Sequence, residues 1–115
     1  MRHDDLYLQD IADACRSIHD FLDGMSKDDF LQSEIAQAAV VQRFIVIGEA
    51  SSKIGEELRE EQTGVDWRTL TTFRNFLVHV YFNTTLERVW EATQDVDQLA
   101  GHVDAIIRFR REHSE

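Results

Sequence analysis

The sequence predicts an all-α fold, and three observations predict it. The chain has 115 residues, with no proline and only 5 glycines, and a scarcity of helix breakers favours long uninterrupted helices. Apolar residues recur every three or four positions, which is the spacing of a buried helix face. Neither an alternating strand pattern nor an Asn-Gly hairpin signal is present. The length suits one domain, residues 1–115, with one modest core.

A first helix and a short turn are predicted near the start of the chain. Apolar residues at helical spacing predict the helix from about Asp4 to Leu22, and Asp23-Gly24 should end it. Ser26 and Asp29 then have the spacing of a capping box, in which each side chain accepts a hydrogen bond from the other residue's backbone N–H. This pair should begin a short helical turn.

A second, longer helix is predicted from about Ser33 to Glu60. From Ile35 to Ala50 the residues are almost continuously small or apolar, which predicts burial on more than one side and contact with a second protomer. The glutamate-rich end, from Glu56 to Glu61, should be a solvated face. Thr63-Gly64 follows as a break.

Three features of the second half predict the remaining helices. Asp66 can cap a helix whose apolar positions should face the core. Thr84 and Glu87 again have capping-box spacing and should open a further helix. A last helix is predicted from the apolar residues near the C-terminus. In order, the apolar positions of these helices are Trp67, Leu70, Phe73, Phe76 and Leu77; Leu86, Val89 and Trp90; and Val96, Leu99, Val103, Ile106, Ile107 and Phe109.

Composition and charge bound the function. The net charge is −10 and the pI is near 4.8, which argues against nucleic-acid binding through overall charge, because phosphate binding needs clustered Lys and Arg. Local clustering would weaken this objection, and Arg68 and Arg88 lie near the motif described below. No apolar run is long enough to span a membrane, so a cytoplasmic protein is expected. The single cysteine, Cys15, is expected to be a packing residue.

One segment carries residue types suited to chemistry, and it reads Arg74-Asn75-Phe76-Leu77-Val78-His79-Val80-Tyr81. Arginine is a permanent cation that matches phosphate oxygens, and histidine both gives and takes protons near neutral pH. If RNA is the substrate, its own 2′-hydroxyl can attack the adjacent phosphate, so neither a metal nor another cofactor is required. The segment then predicts His79 as general acid or base, Arg74 as stabiliser of the transition state, and Asn75 as a support that orients the histidine or the phosphate.

Helical geometry leaves two arrangements open for this site. Arg74 and His79 are five residues apart, so on an ideal helix they point about 140° away from each other. Asn75 and His79 do share a face and could form a hydrogen bond. Either the Arg74 side chain wraps round a helix end that unwinds near His79, or the working site combines residues from two protomers.

The pattern Arg-x4-His-x-Tyr resembles the signature of HEPN-domain ribonuclease toxins, specifically the HepT-like family. Further segments are similar to the family pattern in the same order along the chain: Arg2 to Leu8, Gly48-Glu49-Ala50, Trp67-Arg68, Arg74-Asn75 to Tyr81-Phe82, and Val89-Trp90. One departure is Thr72-Phe73, where many relatives have a small residue and leucine. This departure can alter the shape of the cleft but removes no catalytic atom.

The resemblance implies an antiparallel bundle of about four to five helices that forms a homodimer and brings two Arg/His motifs into one cleft. It also implies a toxin encoded beside a minimal nucleotidyltransferase (MNT) antitoxin, which silences the toxin by transferring AMP to the motif tyrosine, here Tyr81. Arg68 and Arg88 are predicted as further RNA contacts. No metal site is expected.

Three hypotheses follow for the function. The first is a metal-independent endoribonuclease that acts on transfer RNA or messenger RNA as the toxin of a toxin–antitoxin pair. The second is a non-catalytic helical module that binds a nucleotidyltransferase or its nucleotide, with Arg74 and His79 as phosphate contacts. The third is a bundle without a site, in which Arg74 pairs with a nearby acid. His79 separates the first two, because only a nuclease would lose RNA cleavage when His79 is replaced by alanine.

Overall fold

The computed structural model describes the backbone of residues 2–84 and 86–113, and the side chains of residues 3–79 and 86–113. These residues contain helices and no strand, which confirms the all-α prediction. Four helices are long and three are short. The long helices are α1 (Arg2–Phe21), α3 (Glu34–Lys53), α5 (Trp67–Thr84) and α7 (Val96–Glu112); the short ones are α2 (Lys27–Gln32), α4 (Glu56–Glu61) and α6 (Leu86–Thr93).

Helices α1 and α7 pack against each other and run antiparallel. Asp5, near the start of α1, accepts a hydrogen bond of 2.6 Å from Nε of Arg110, near the end of α7. Further along α1, Arg16 donates two hydrogen bonds of 2.8 and 2.9 Å to the carboxylate of Asp104. Residue numbers therefore increase along α1 in the direction in which they decrease along α7. Both contacts are ion pairs that fix the register of the two helices.

Helix α3 covers the other side of α1, again antiparallel. The Lys53 ammonium, at the end of α3, lies 5.8 Å from the centre of the Tyr7 ring, and the Arg43 guanidinium lies 5.8 Å from that of Phe21. Helix α5 in turn packs on α3. The four long helices therefore lie in the order α7, α1, α3, α5.

The core fills the space between these helices. Its largest fully buried side chains come from both halves of the chain, and they are Leu8, Ile11 and Ile18, then Phe30, Val40, Ile47 and Ile54, then Leu77, Val89 and Val103. Because α3 contacts both α1 and α5, it is buried on two sides, as its continuous apolar stretch predicts.

The start of the chain follows the sequence closely. Helix α1 ends at Phe21, and Gly24 adopts a φ of +77°, the left-handed conformation that glycine tolerates best. The capping box before α2 is present, with both hydrogen bonds between Ser26 and Asp29 at 3.1 Å. The first helix and the capping box are therefore confirmed.

The long helix predicted from Ser33 to Glu60 is wrong, because the chain breaks into α3 and α4. Ile54 and Gly55 have extended backbone conformations between them. Ile54 is buried in the core, and the Gly55 N–H donates a hydrogen bond of 2.9 Å to Oδ1 of Asp4. Asp4 is itself buried. A contact with a distant residue thus stabilises a break that no proline marks.

The helices of the second half begin at the predicted places. Oδ1 of Asp66 accepts a hydrogen bond of 3.1 Å from the Thr69 N–H, which confirms the cap of α5. Two hydrogen bonds from Thr69 lower the pKa of the Asp66 carboxyl, and the bond from its side chain has a larger effect than the bond from its backbone. The Thr84 side chain lies outside the described residues, so the capping box of Thr84 and Glu87 stays a prediction.

Cys15 lies in the core, as predicted, and its burial raises the pKa of its thiol to about 12. Within the described ranges, no helix is both long and apolar enough to cross a membrane.

Replacing Asp4 with alanine should lower the free energy of unfolding by about 1 to 3 kcal/mol, because the partly buried Gly55 N–H loses its carboxylate acceptor. Urea denaturation followed by circular dichroism measures the change. Asp10→Ala, at an exposed position of the same helix, should change stability by about 0.5 kcal/mol or less. Equal effects in the two variants would contradict the role given to Asp4.

Burial of Cys15 also predicts a pH dependence. Its pKa is raised from 9.0 to about 12 on folding, so above pH 9 the unfolded chain loses a proton that the folded chain keeps. Stability contributed by the neutral thiol is complete below pH 9 and is lost as pH rises toward 12, at up to about 1.4 kcal/mol per pH unit. Urea denaturation at pH 8 and pH 10 should show a steeper loss for the wild type than for Cys15→Ala. Parallel losses would rule out the thiol as the cause.

Candidate active site

The residues of the motif lie on helix α5, and the helix continues through them to Thr84. The arrangement in which the helix unwinds near His79 is therefore wrong. Arg74 faces helix α3, whereas the His79 side chain is exposed to solvent. A continuous helix keeps the two side chains about 140° apart. The structure thus places them on different faces of one chain.

Helices α3 and α5 approach each other most closely at Gly48. A Cβ atom added to Gly48 would lie 2.2 Å from Cβ of Arg74 and 3.0 Å from the carbonyl oxygen of Leu70. Real Cβ atoms essentially never make a contact as short as the first, and the second is unusually tight, so only glycine permits this crossing without a shift of the helices. The stem of Arg74 therefore rests directly on the backbone of α3.

Beyond this crossing, the Arg74 side chain reaches the next residue of α3. Its Nη1 atom lies 3.5 Å from Oε1 of Glu49, and this contact is an ion pair. The Arg74 side chain is 25% exposed and that of Glu49 is 47% exposed. Nε of Arg74 is buried, and it has no hydrogen-bond partner among the described residues. The guanidinium thus contacts Glu49 on one side, and its Nε–H group remains without an acceptor.

Asn75 and His79 are both exposed and lie one turn apart on α5. Among the residues that the structure describes, no hydrogen bond joins their side chains. The supporting role of Asn75 therefore stays a prediction. Tyr81, the predicted site of AMP transfer, has its side chain outside the described residues.

Arg68 and Arg88 both line a groove of about 880 Å³ between α5 and the α6–α7 segment. The Arg88 guanidinium lies 5.5 Å from the centre of the Phe73 ring, which also lines the groove. Neither Arg74 nor His79 is among the lining residues, although Phe76 of the same segment is. The acidic residues Asp66, Glu91 and Asp95 line it as well, and they weaken its attraction for phosphate.

Groups of three or more His, Cys, Asp or Glu side chains that could hold a metal ion are absent from the described part of the chain. The motif itself offers a cation at Arg74, an amide at Asn75 and an imidazole at His79. A guanidinium can stabilise negative charge, and an imidazole can move protons.

Comparison with known proteins matches residues 11–106 to the family model described as ribonuclease HepT-like. A relative named Probable ribonuclease HepT, from Thermococcus cleftensis, is 31% identical over 87% of this chain and 92% of its own length. A candidate RNase from Caldanaerobacter subterraneus subsp. tengcongensis is 28% identical over 89% of this chain and 92% of its own. No solved structure gives a significant match.

A helical bundle that carries an Arg-x4-His-x-Tyr segment on a long helix fits this class of ribonuclease. The chain belongs to the ribonuclease HepT-like family. The resemblance read from the sequence is confirmed, and with it the ribonuclease class.

Sequence reasoning missed the partner of Arg74. Gly48 and Glu49 stood out only as part of a family-like segment, and nothing in their local spacing connects them to the distant α5. The one available signal was a glycine followed by an acid inside an otherwise apolar helix, where glycine is costly unless a close contact needs it.

Replacing Gly48 with alanine should destabilise the protein by about 1 to 3 kcal/mol, because the new methyl group forces α3 and α5 apart. Gly101, in the exposed face of α7, has no atom within 4 Å of an added Cβ, so Gly101→Ala should stabilise by about 0.5 to 1 kcal/mol. Thermal and urea denaturation of both variants provide the test. A Gly48→Ala protein as stable as the wild type would disprove the close crossing.

Proposed function

We propose that this protein is an endoribonuclease that cleaves RNA without a metal ion, through attack of the 2′-hydroxyl on the adjacent phosphate. The main support for this proposal is that a member of a ribonuclease family carries the Arg-x4-His-x-Tyr segment on α5. His79 is exposed to solvent, and the Arg74 guanidinium is partly exposed. Both groups are therefore accessible to a phosphodiester.

The reaction needs one proton removed and one supplied. A base takes the proton of the 2′-hydroxyl as its oxygen bonds to phosphorus, and an acid protonates the departing 5′-oxygen. The products are a 2′,3′-cyclic phosphate and a 5′-hydroxyl. In the proposed mechanism His79 acts as acid or base, Arg74 stabilises the extra negative charge on the phosphorane-like state, and Asn75 orients the histidine or the phosphate.

The working site is proposed to form in a homodimer. One continuous helix separates Arg74 from His79 by about 140°, so a second chain offers the simplest way to place both types of group on one phosphate. Two exposed apolar side chains support an interface: Val78, beside His79, is 53% exposed, and Ile35, at the start of α3, is 85% exposed. An isologous dimer would bring two copies of the motif into one cleft.

The biological setting is also a proposal, and it rests on the family resemblance. The protein would act in the cytoplasm as the toxin of a pair, with an MNT-type nucleotidyltransferase as antitoxin and Tyr81 as the acceptor of AMP. Its substrate would be transfer RNA or messenger RNA. Arg68 and Arg88 would add phosphate contacts from the neighbouring groove. With a net charge of −10, RNA binding should depend on this local patch and weaken steeply with salt.

A second candidate function is a non-catalytic module that binds a nucleotidyltransferase or its nucleotide. The acidic net charge favours it, because a −10 protein repels RNA at long range. The Arg74–Glu49 ion pair also fits the third hypothesis, in which Arg74 only pairs with an acid. Family membership weighs against both alternatives.

Cleavage of purified transfer RNA and messenger RNA in excess EDTA tests the proposal, with intact mass first excluding adenylylation. The wild type should produce fragments with cyclic phosphate ends, and His79→Ala should lower the rate by about 10² to 10⁴, because a general acid or base is lost. Arg74→Ala should also reduce cleavage strongly.

His19→Ala is the matched control, since His19 is another exposed histidine but lies on α1, where it pairs with Asp97 of α7. Its activity should equal that of the wild type. Absence of cleavage by the wild type, or equal cleavage by His79→Ala, would reject the nuclease and favour the binding module.

A further inference from the structure

We infer that Glu49 is a positioning residue that holds the Arg74 guanidinium in the orientation needed for the transition state. This inference deepens the proposed function and rests on it. It begins from the crossing of α3 and α5, where Gly48 lets the stem of Arg74 lie against the α3 backbone. The stem has little freedom there, so the remaining freedom belongs to the end of the side chain.

Glu49 constrains that end. Its Oε1 lies 3.5 Å from Nη1 of Arg74, at the edge of the surface, where the glutamate is 47% exposed and the arginine 25% exposed. Without a partner, an arginine side chain samples many rotamers, and fixing them costs conformational entropy. The ion pair fixes them before the substrate arrives. Binding energy from RNA is then not consumed in ordering Arg74.

The geometry leaves the guanidinium available to substrate. The ion pair joins Nη1 and Oε1 at 3.5 Å, and the two side chains do not form the short parallel hydrogen bonds of a bidentate arginine–carboxylate pair. Nε is buried and has no hydrogen-bond partner among the described residues. A buried donor without an acceptor is unfavourable, and the contact with Glu49 does not satisfy it, so the pairing uses only part of the guanidinium. Glu49 therefore directs the guanidinium without occupying all of its donors.

Charge predicts a particular kinetic signature. The Glu49 carboxylate repels the phosphate of RNA, so its removal should leave ground-state binding unchanged or slightly stronger. Loss of orientation acts on the transition state, where a small misplacement costs about 10²-fold in rate. For Glu49→Gln we therefore expect kcat to fall roughly tenfold to hundredfold, while KM does not rise. A purely structural role would instead lower stability without separating these two constants.

The experiment compares three proteins in the EDTA cleavage assay: the wild type, Glu49→Gln and Glu34→Gln. Glu34→Gln removes the same charge from the first turn of the same helix and should leave both kinetic constants unchanged. Urea denaturation should show nearly equal stability for all three, because the ion pair is half-exposed. A kcat for Glu49→Gln equal to that of Glu34→Gln would overturn the inference.

A second measurement decides the inference even if the wild type cleaves no RNA. The Nη–H group of Arg74 that pairs with Glu49 can be assigned by nuclear magnetic resonance from the signal that disappears in Arg74→Lys. Relaxation should show this group to be rigid in the wild type and in Glu34→Gln, and mobile in Glu49→Gln. Equal rigidity in Glu49→Gln overturns the positioning role, whereas absent cleavage with the expected relaxation overturns only the proposed function.

Discussion

The close crossing of α3 and α5 at Gly48 is the constraint on which the candidate site depends. Because a Cβ at this position would lie 2.2 Å from Cβ of Arg74, the two helices can meet only where α3 has no side chain. The crossing fixes the position of the α5 backbone. The backbone in turn sets the direction of every side chain on α5. The crossing also brings Arg74 beside Glu49, the next residue of α3. The contact between Gly48 and Arg74 therefore determines both how α3 packs on α5 and where the Arg74 guanidinium lies.

The break between α3 and α4 shows how the rest of the bundle supports this crossing. Helix α3 lies between α1 and α5 and is buried on both sides, so it must end where the chain turns back toward α5. The buried Asp4 of α1 accepts the Gly55 N–H at that turn, while Ile54 enters the core. Ion pairs along α1 and α7 hold the opposite side of the bundle in register. The site thus sits on the outer helix of a frame fixed by α1 and α3.

The net charge of the protein disfavours RNA binding, although the family of the chain is one of ribonucleases. A net charge of −10 disfavours general binding of nucleic acid, and the groove that contains Arg68 and Arg88 is also lined by three carboxylates. Arg74 is likewise paired with an acid. Such an arrangement suits selectivity more than affinity, since only an RNA whose shape brings a phosphate to the motif gains from the arginine. The separate faces of Arg74 and His79 would have the same effect in the proposed homodimer, because a shared site would exist only when both chains are in place.

The sequence by itself determined the helical class, the first helix, the capping box at Ser26 and Asp29, the cap at Asp66 and the family of the chain. These features depend on spacing within one or two helical turns, which sequence records directly. The end of α3 at Ile54 and Gly55, the continuity of α5 past His79, and the pairing of Arg74 with Glu49 were decided only by the tertiary structure. The end of α3 and the Arg74–Glu49 pair depend on contacts between residues far apart in the chain. Local spacing cannot encode such contacts, because the same helix pattern is compatible with many partners.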